Sequence, residues 1–443
     1  MSALPQRWAT ARLDEIADVR LGRQRSPKNH TGSRMRPYLR AANVTWSGFD
    51  LTDVKEMNFT ELESGTYELR RGDVLVAEAS GSASEVGKPV VWRDEIEGCC
   101  FQNTLVRVRP RHAVSEYLRY FLLSEARSGR IGQASPGVGI HHIGAARLGA
   151  WTVPLPPLNE QRRIVAAIEQ HLSRLDAADA SLVTALHRLD SFRETALRAA
   201  FSLSAPTKNL GDIARLADGP FGSNLKTSHY TASGPRVIRL QNVGDGVFHD
   251  ERAHISETHF ESLRKHQVVA GDIVAASLGG TVPRACLVPS FVGEAVVKAD
   301  CIRIRPKVDV HPTYLMWCLN SPQAKEDAAL RIKGIGRPRL GLGGMKLLPI
   351  PLPRLDEQRK IVARVEEQLS AIDALRTAIE RAQHRSASLR RSILERAFGG
   401  ELAPQDPDDE PASALLERIA VERATAETAN GRRPLRRATV QGS

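Results

Sequence analysis

PLPPLNEQRRIVAAIEQHLSRLDAADASLVTALHRLDSFRETALRAAF occupies residues 154–201, and PLPRLDEQRKIVARVEEQLSAIDALRTAIERAQHRSASLRRSILERAF occupies residues 351–398. The two stretches align without a gap and agree at about half their positions. Glu160 matches Glu357 and Phe201 matches Phe398, each pair 197 residues apart. An internal repeat of this length sets the architecture before any single residue is weighed.

Each stretch predicts one long helix. The opening PLP is excluded from a helix interior and fixes the start. Asn159 and Asp356 are the expected N-caps, and Glu160 and Glu357 lie in the first turn, where the helix dipole favours a carboxylate. In the first copy Ile168, Leu175, Leu182, Leu189 and Ala196 fall at heptad spacing, widened by Ile164, Leu172, Leu186 and Phe192. In the second the stripe is Ile361, Val365, Leu369, Ile372, Ile379, Ala382, Leu389 and Ile393. Gly399–Gly400 supplies a stop. A heptad stripe with charged flanks calls for a long partner, so the expectation is an antiparallel coiled-coil pair, each helix roughly 60 Å long. Ile168, Leu172, Leu175, Leu182, Leu189, Val365, Leu369, Ile372, Ile379 and Ile393 are expected to pack that pair.

The segments before the helices also repeat, more loosely. LDEIADVRLG is answered by LGDIARLADG, RPYLRAANV by PRVIRLQNV, LRRGDVLVAEAS by VVAGDIVAAS, QNTLVRVRP by ADCIRIRP, and EYLRYFLLS by TYLMWCLNS. Each set reads as a mixed α/β module: a short helix into a strand, a turn at Gly72 or Gly271 into a buried strand, another strand, then a short amphipathic helix. The offsets drift from 196 to 199, unlike the fixed offset of the helices. The helices share one task, while the modules share a scaffold and differ in what they contact. The expected division is residues 1–153, module one; 154–202, first helix; 203–350, module two; 351–400, second helix; and 401–443, a linker, a short helix presenting Leu415, Leu416 and Ile419, and a basic tail with Arg432, Arg433, Arg436 and Arg437. The fold class is α+β with a pseudo-two-fold internal repeat.

The 443 residues carry a net charge of +11 and a pI of about 9.7, which favours a polyanionic partner, with nucleic acid the default. No stretch is long and apolar enough for a membrane span, and MSALPQRWATARL lacks the apolar core of a signal peptide, so a cytoplasmic protein is expected. Cys99, Cys100, Cys286, Cys301 and Cys318 show no metal-ligand spacing and read as reduced core thiols.

No catalytic constellation is evident. There is no phosphate-binding GxxxxGK[ST] loop, and the glycines at 334, 336, 341, 343 and 344 lack the context of a dinucleotide or methyl-donor site. Adjacent His141 and His142 are poorly spaced to share a metal. The run Asp406, Asp408, Asp409 and Glu410 reads as a solvated linker. Binding candidates are instead the polar, basic and glycine-rich loops, where Arg and Lys meet phosphates or guanine edges and Asn, Gln, Ser and His meet other bases. In module one these are Arg20, Arg23, Arg25, Lys28, Arg34, Arg36, Ser80, Ser82, Arg130, Gln133, His141 and His142. In module two they are Ser223, Asn224, Lys226, Arg284, Lys333, Arg337, Arg339 and Lys346. A coiled-coil adaptor with two protein-binding modules, or a self-contained DNA methyltransferase or nuclease, are the competing readings.

Together, PLPPLNEQRRIV and PLPRLDEQRKIV at the helix starts, RAAF and RAFGGEL at their ends, the GDVLVA and GDIVAA strands, and DEPASALLERI resemble the specificity subunit of Type I restriction–modification systems. The likeness covers nearly the whole chain. It implies two target-recognition domains, each reading one half of a bipartite, asymmetric site in double-stranded DNA. It implies helices that act as a spacer and dock two modification (methyltransferase) subunits, with restriction/translocase subunits joining them. It implies a non-catalytic chain without a cofactor or metal of its own, with S-adenosylmethionine, ATP and Mg on the partner subunits. It transfers no base-contact residue by motif.

Overall fold

The computed structural model describes residues 4–135, 141–220, 222–334 and 338–429. It divides into two compact units, Met1–Ala180 with Gln383–Ser443, and Ser181–Ala382. Both long helices form, Leu158–Phe201 and Leu355–Phe398, each of 44 residues. Each unit therefore holds one module and a part of each helix.

The helices already begin at Leu158 and Leu355, so Asn159 and Asp356 lie inside the first turn and are not the N-caps the sequence suggested. The first helical hydrogen bonds run from Gln161 N to Pro157 O and from Gln358 N to Arg354 O. At the far end, Gly400 adopts a positive φ of 78°, and a Cβ there would meet Pro5 Cγ at 2.4 Å. Glycine is thus needed for both the turn and the close approach.

Within each unit the two helices run antiparallel. In unit one, Ile164, Val165, Ile168 and Leu172 share a core with Ile393, Leu394, Ala397 and Phe398, and Arg390 reaches Asp176 and Asp179, each at 2.8 Å. Ser386, buried on the same seam, donates to Asp179 at 3.0 Å. In unit two, Leu189, Leu197, Ala200 and Phe201 share a core with Ile361, Val365, Leu369 and Ile372, and Arg376 pairs with Asp190 at 2.5 Å. Ile379 packs against that core from its edge. Leu175 and Leu182 are half-buried.

Phe192 and Leu389 leave the stripe and are 60% and 46% exposed. Past Leu189 the buried face of the first helix follows Leu197, Ala200 and Phe201 toward module two, where Phe201 meets Tyr314 at 5.3 Å. Past Ser386 the second follows Leu394 and Ala397 toward module one. A straight helix drifts from a strict heptad, and the modules capture the drifted face.

Each module is built on a four-stranded antiparallel sheet of the same order. In module one it runs Ala17–Leu21, Leu105–Pro110, Val74–Ala77, Pro89–Val91; in module two it runs Ala214–Asp218, Cys301–Pro306, Ile273–Ala276, Arg284–Leu287. Val106 and Val108 point into one core, as their alternation predicts, with Ser115–Arg127 packed on it. Each module adds a second, mixed sheet: Lys55–Asn58, Met35–Leu39, Cys100–Phe101 in the first, and His254–Ile255, Tyr230–Ile238, Ala295–Val297, Gln267–Val268 in the second.

The same polar joints hold both modules. Buried Asp73 takes a two-pronged grip from Arg109 (2.6 and 2.7 Å), and buried Asp272 takes one from Arg305 (2.7 Å twice). Asn43 and Asn242 each donate to two backbone carbonyls of a following loop and accept from Arg40 N or Arg239 N. Gln161 and Gln358, fully buried, explain the repeated glutamine. Each accepts from the backbone that leads into the module's helix (Val114 N, His311 N) and donates back to the PLP turn (Pro156 O, Pro353 O). The five cysteines are free and buried, and burial pushes the Cys99 and Cys286 thiols up to about 12.

The C-terminal helix forms over Ala412–Ala429 and places Ala412, Leu415 and Ile419 in the core of unit one. The acidic run before it is not simply solvated. Asp409 is buried and pairs with Arg163 at 2.5 Å, because docking the helix draws the linker against the first long helix.

Candidate nucleic-acid interface

In each module two of the candidate loops are drawn together by backbone pairing. In module one, His141 and His142 pair antiparallel with Ser80 and Ala79, just beyond the buried strand Val74–Ala77. Ile143 N then donates to Glu78 O at 3.1 Å and anchors the loop through a buried Ile143. In module two, Arg339 bridges antiparallel to Leu278, just beyond Ile273–Ala276, and Leu340 N donates to Ser277 O at 2.9 Å. Arg339 also bridges Lys333 across the loop. The buried strand delivers one loop and the glycine-rich segment returns to pair with it, so polar side chains gather at one edge of each module.

His142, Arg130 and Arg339 lie against carboxylates. His142 Nδ1 lies 3.0 Å from Glu78, whose side chain is 10% exposed, while the His142 ring is 53% exposed. His141 Nδ1 meets Ser135 O at 3.0 Å. Arg130 is tied to Glu125, and Gln133 is exposed nearby in sequence. Ser80 is half-buried, and exposed Ser82 bonds Ser84. In module two Arg339 reaches Asp300 at 3.0 Å, and Arg284 bonds the carbonyls of Val243 and Gly279. Lys333 is exposed.

The remaining candidates lie elsewhere. Along 20–36, Arg20, Arg25 and Lys28 are exposed, with Arg25 on His30 at 3.1 Å. Arg34 pairs with Glu61 and Arg36 with Glu68. Arg23 is buried, paired with Glu63 at 2.8 Å and set over the Phe59 ring, so its cation is engaged inside the module. Asn224 and Lys226 are exposed. Lys346 is exposed on the short helix Leu342–Lys346, with the root of its side chain (Cβ and Cγ) beside Gly211. Arg337, the side chain of Ser223 and the arginines at 432, 433, 436 and 437 lie outside the described residues. Sequence reasoning passed over Glu78 and Asp300. The available signal was a carboxylate set directly against a buried strand, at the end of VLVA and just before CIRIR.

Residues 5–181 and 244–386 match the model of the family described as Type I restriction modification DNA specificity domain. The chain belongs to that family. Among curated relatives it is 26% identical to the Type I restriction enzyme EcoKI specificity subunit of Escherichia coli (strain K12), over 95% of this chain and 96% of that one. It is 27% identical to the StySPI specificity subunit of Salmonella potsdam, with 95% and 96% covered. Among solved structures, a chain from work on complex assembly and conformational transition of the type I R-M system superposes with a TM-score of 0.72 at 20% identity, over 91% of this chain and 100% of that one. The HsdS subunit from Thermoanaerobacter tengcongensis superposes at 0.58, also 20% identical, over 90% and 98%. These likenesses show the α+β fold of paired modules and long helices. Among the described residues no helix is long and apolar enough to cross a membrane, and no group of three or more His, Cys, Asp or Glu is placed to hold a metal.

Proposed function

We propose that this chain is the DNA-specificity subunit of a Type I restriction–modification complex, in which each module reads one half of a bipartite, asymmetric site. Residues 1–153 and 203–350 act as the recognition domains. Residues 154–202 and 351–400 act as the helical spacer and dock the modification subunits, and restriction subunits join that assembly. The chain supplies specificity, while the methyl donor, ATP and Mg belong to its partners.

The observation that carries this reading is the family match spread over two modules that share one set of polar joints and differ at the loops gathered on their edges. A net charge of +11 supports a polyanionic ligand. The test is base-modification sequencing of the host genome with and without this coding sequence. Loss of one split motif carrying methyl-adenine is the expected result. An unchanged modification pattern in a host that expresses the complex contradicts the reading.

A further inference from the structure

The two modules place different side chains at one equivalent position. The equivalence rests on backbone bonds, independent of side-chain likeness. Glu78 N donates to Thr104 O and Glu78 O accepts from Ile143 N; Ser277 N donates to Asp300 O and Ser277 O accepts from Leu340 N. Ala79 pairs with His142 as Leu278 bridges Arg339. Thus Glu78 answers Ser277, Thr104 answers Asp300, and His142 answers Arg339.

At both sites a nitrogen-bearing side chain, exposed at His142 and half-buried at Arg339, lies against a buried carboxylate, and that carboxylate comes from a different segment in each. Module one places it at Glu78 (7% exposed), where module two has Ser277. Module two places it at Asp300 (7% exposed), where module one has Thr104. The same device on two different residues points to a requirement for a fixed side chain at 142 and 339, which a structural filler does not need. A side chain locked before binding loses little entropy when it meets a base edge.

Resting on the specificity-subunit reading above, we infer that His142 and Arg339 are paired base-reading residues, with Glu78 and Asp300 as their positioning residues. Asp300 lies 3.0 Å from Arg339 Nη2, the Arg339 side chain is 37% exposed, and a guanidinium presented in the major groove is matched to guanine O6 and N7. The Glu78 carboxylate accepts from His142 Nδ1–H, and in that tautomer Nε2 is the acceptor offered to a base. The groove-facing partners of an acceptor are the amino groups of adenine N6 or cytosine N4. Module two therefore demands a guanine where module one demands an amino-bearing base.

The experiment is selection of enriched duplexes from a randomised pool by the full-length chain in complex with the modification subunit of its host, at one fixed salt concentration. Arg339→Ala and Arg339→Lys are expected to erase the preference for one guanine in one half-site, lowering discrimination there on the order of 10–100-fold. The other half-site stays unchanged. His142→Ala erases one adenine or cytosine preference in the opposite half-site. Glu78→Gln and Asp300→Asn broaden those same two positions, an effect that a structural role alone does not produce. The lysine variant keeps the charge and guards against misfolding, and a thermal melt reports the fold of each variant.

A uniform loss of affinity across all sequences would make these residues phosphate contacts and overturn the inference. So would unchanged preferences, or both substitutions altering the same half-site. If the wild-type complex enriches no motif at all, the specificity-subunit reading fails first, and this one with it.

Discussion

Glu160 and Glu357 stand at the same place in two copies of one motif and have opposite surroundings. Glu160 is 2% exposed and accepts a hydrogen bond from Trp8 Nε1 at 3.0 Å, and burial pushes its carboxyl up. Glu357 is exposed. The difference comes from the ends of the chain. In unit one the N-terminal segment lies over the helix start, Arg7 O accepts from Ala412 N, and the C-terminal helix adds Leu415 and Ile419 to the core. Unit two has no such cover among the described residues. The repeat thus fixes what lies beneath, namely the Gln161 and Gln358 joint, the aspartate–arginine grip and the sheet order, and leaves each unit's surface free to differ.

The largest test of the shared part is removal of a gripped aspartate. Asp73→Ala removes the carboxylate shared by Arg109 and the Arg70 N–H, leaving Arg109 its bond to Glu68 O, and Asp272→Ala removes the one shared by Arg305 and the Val269 N–H. Each is expected to cost about 3 kcal/mol in urea unfolding. The cost is larger for Asp73, because Arg109 is 23% exposed against 44% for Arg305. Equal, negligible costs would break the claim that one joint holds both modules.

Next is the cover itself. Leu415→Ala is expected to destabilise unit one by about 2 kcal/mol. Hydrogen exchange should then quicken in unit one and stay unchanged in Ser181–Ala382. Equal quickening in both units would contradict the assignment of the C-terminal helix to one of them.

A smaller effect follows from Asp409, whose carboxyl Arg163 holds below the usual carboxylate range. A depressed folded-state value contributes stability that is present above the unfolded value, about 4, and is lost as pH falls through the folded value. Protection of the C-terminal segment from proteolysis should therefore weaken as pH falls below about 4, and Asp409→Asn should flatten that dependence. The smallest effect is at the exposed copy of the motif. Glu357→Gln should change stability by less than about 0.5 kcal/mol, as read from a thermal melt, and Glu160→Gln should exceed it.

Much of the architecture was legible in the sequence because it is periodic. Two ungapped copies of PLPxLxEQ with a following apolar stripe give two helices, and GDVLVA against GDIVAA gives a repeated central strand. The second sheet was not legible, because Cys100–Phe101, His254–Ile255 and Gln267–Val268 are two residues long and carry no alternation. Phe192 and Leu389 were placed on the seam by heptad counting, yet the modules draw the buried face elsewhere. Asp409 reads as one more charge in an acidic run until the docked helix brings it to Arg163. The candidate loops were found by composition. That Ser80 meets His141, or that Leu278 meets Arg339, depends on pairings between residues about 60 positions apart, which composition does not encode.

The measurement that bears most directly on one scaffold carrying two reading faces is a duplication. Module one is replaced by a second copy of module two, and the modified motif is read by base-modification sequencing of a host expressing the chimera. The account predicts that the two halves of the motif become the same sequence, the one formerly read by module two. A folded chimera that still directs modification to the original asymmetric motif would contradict it.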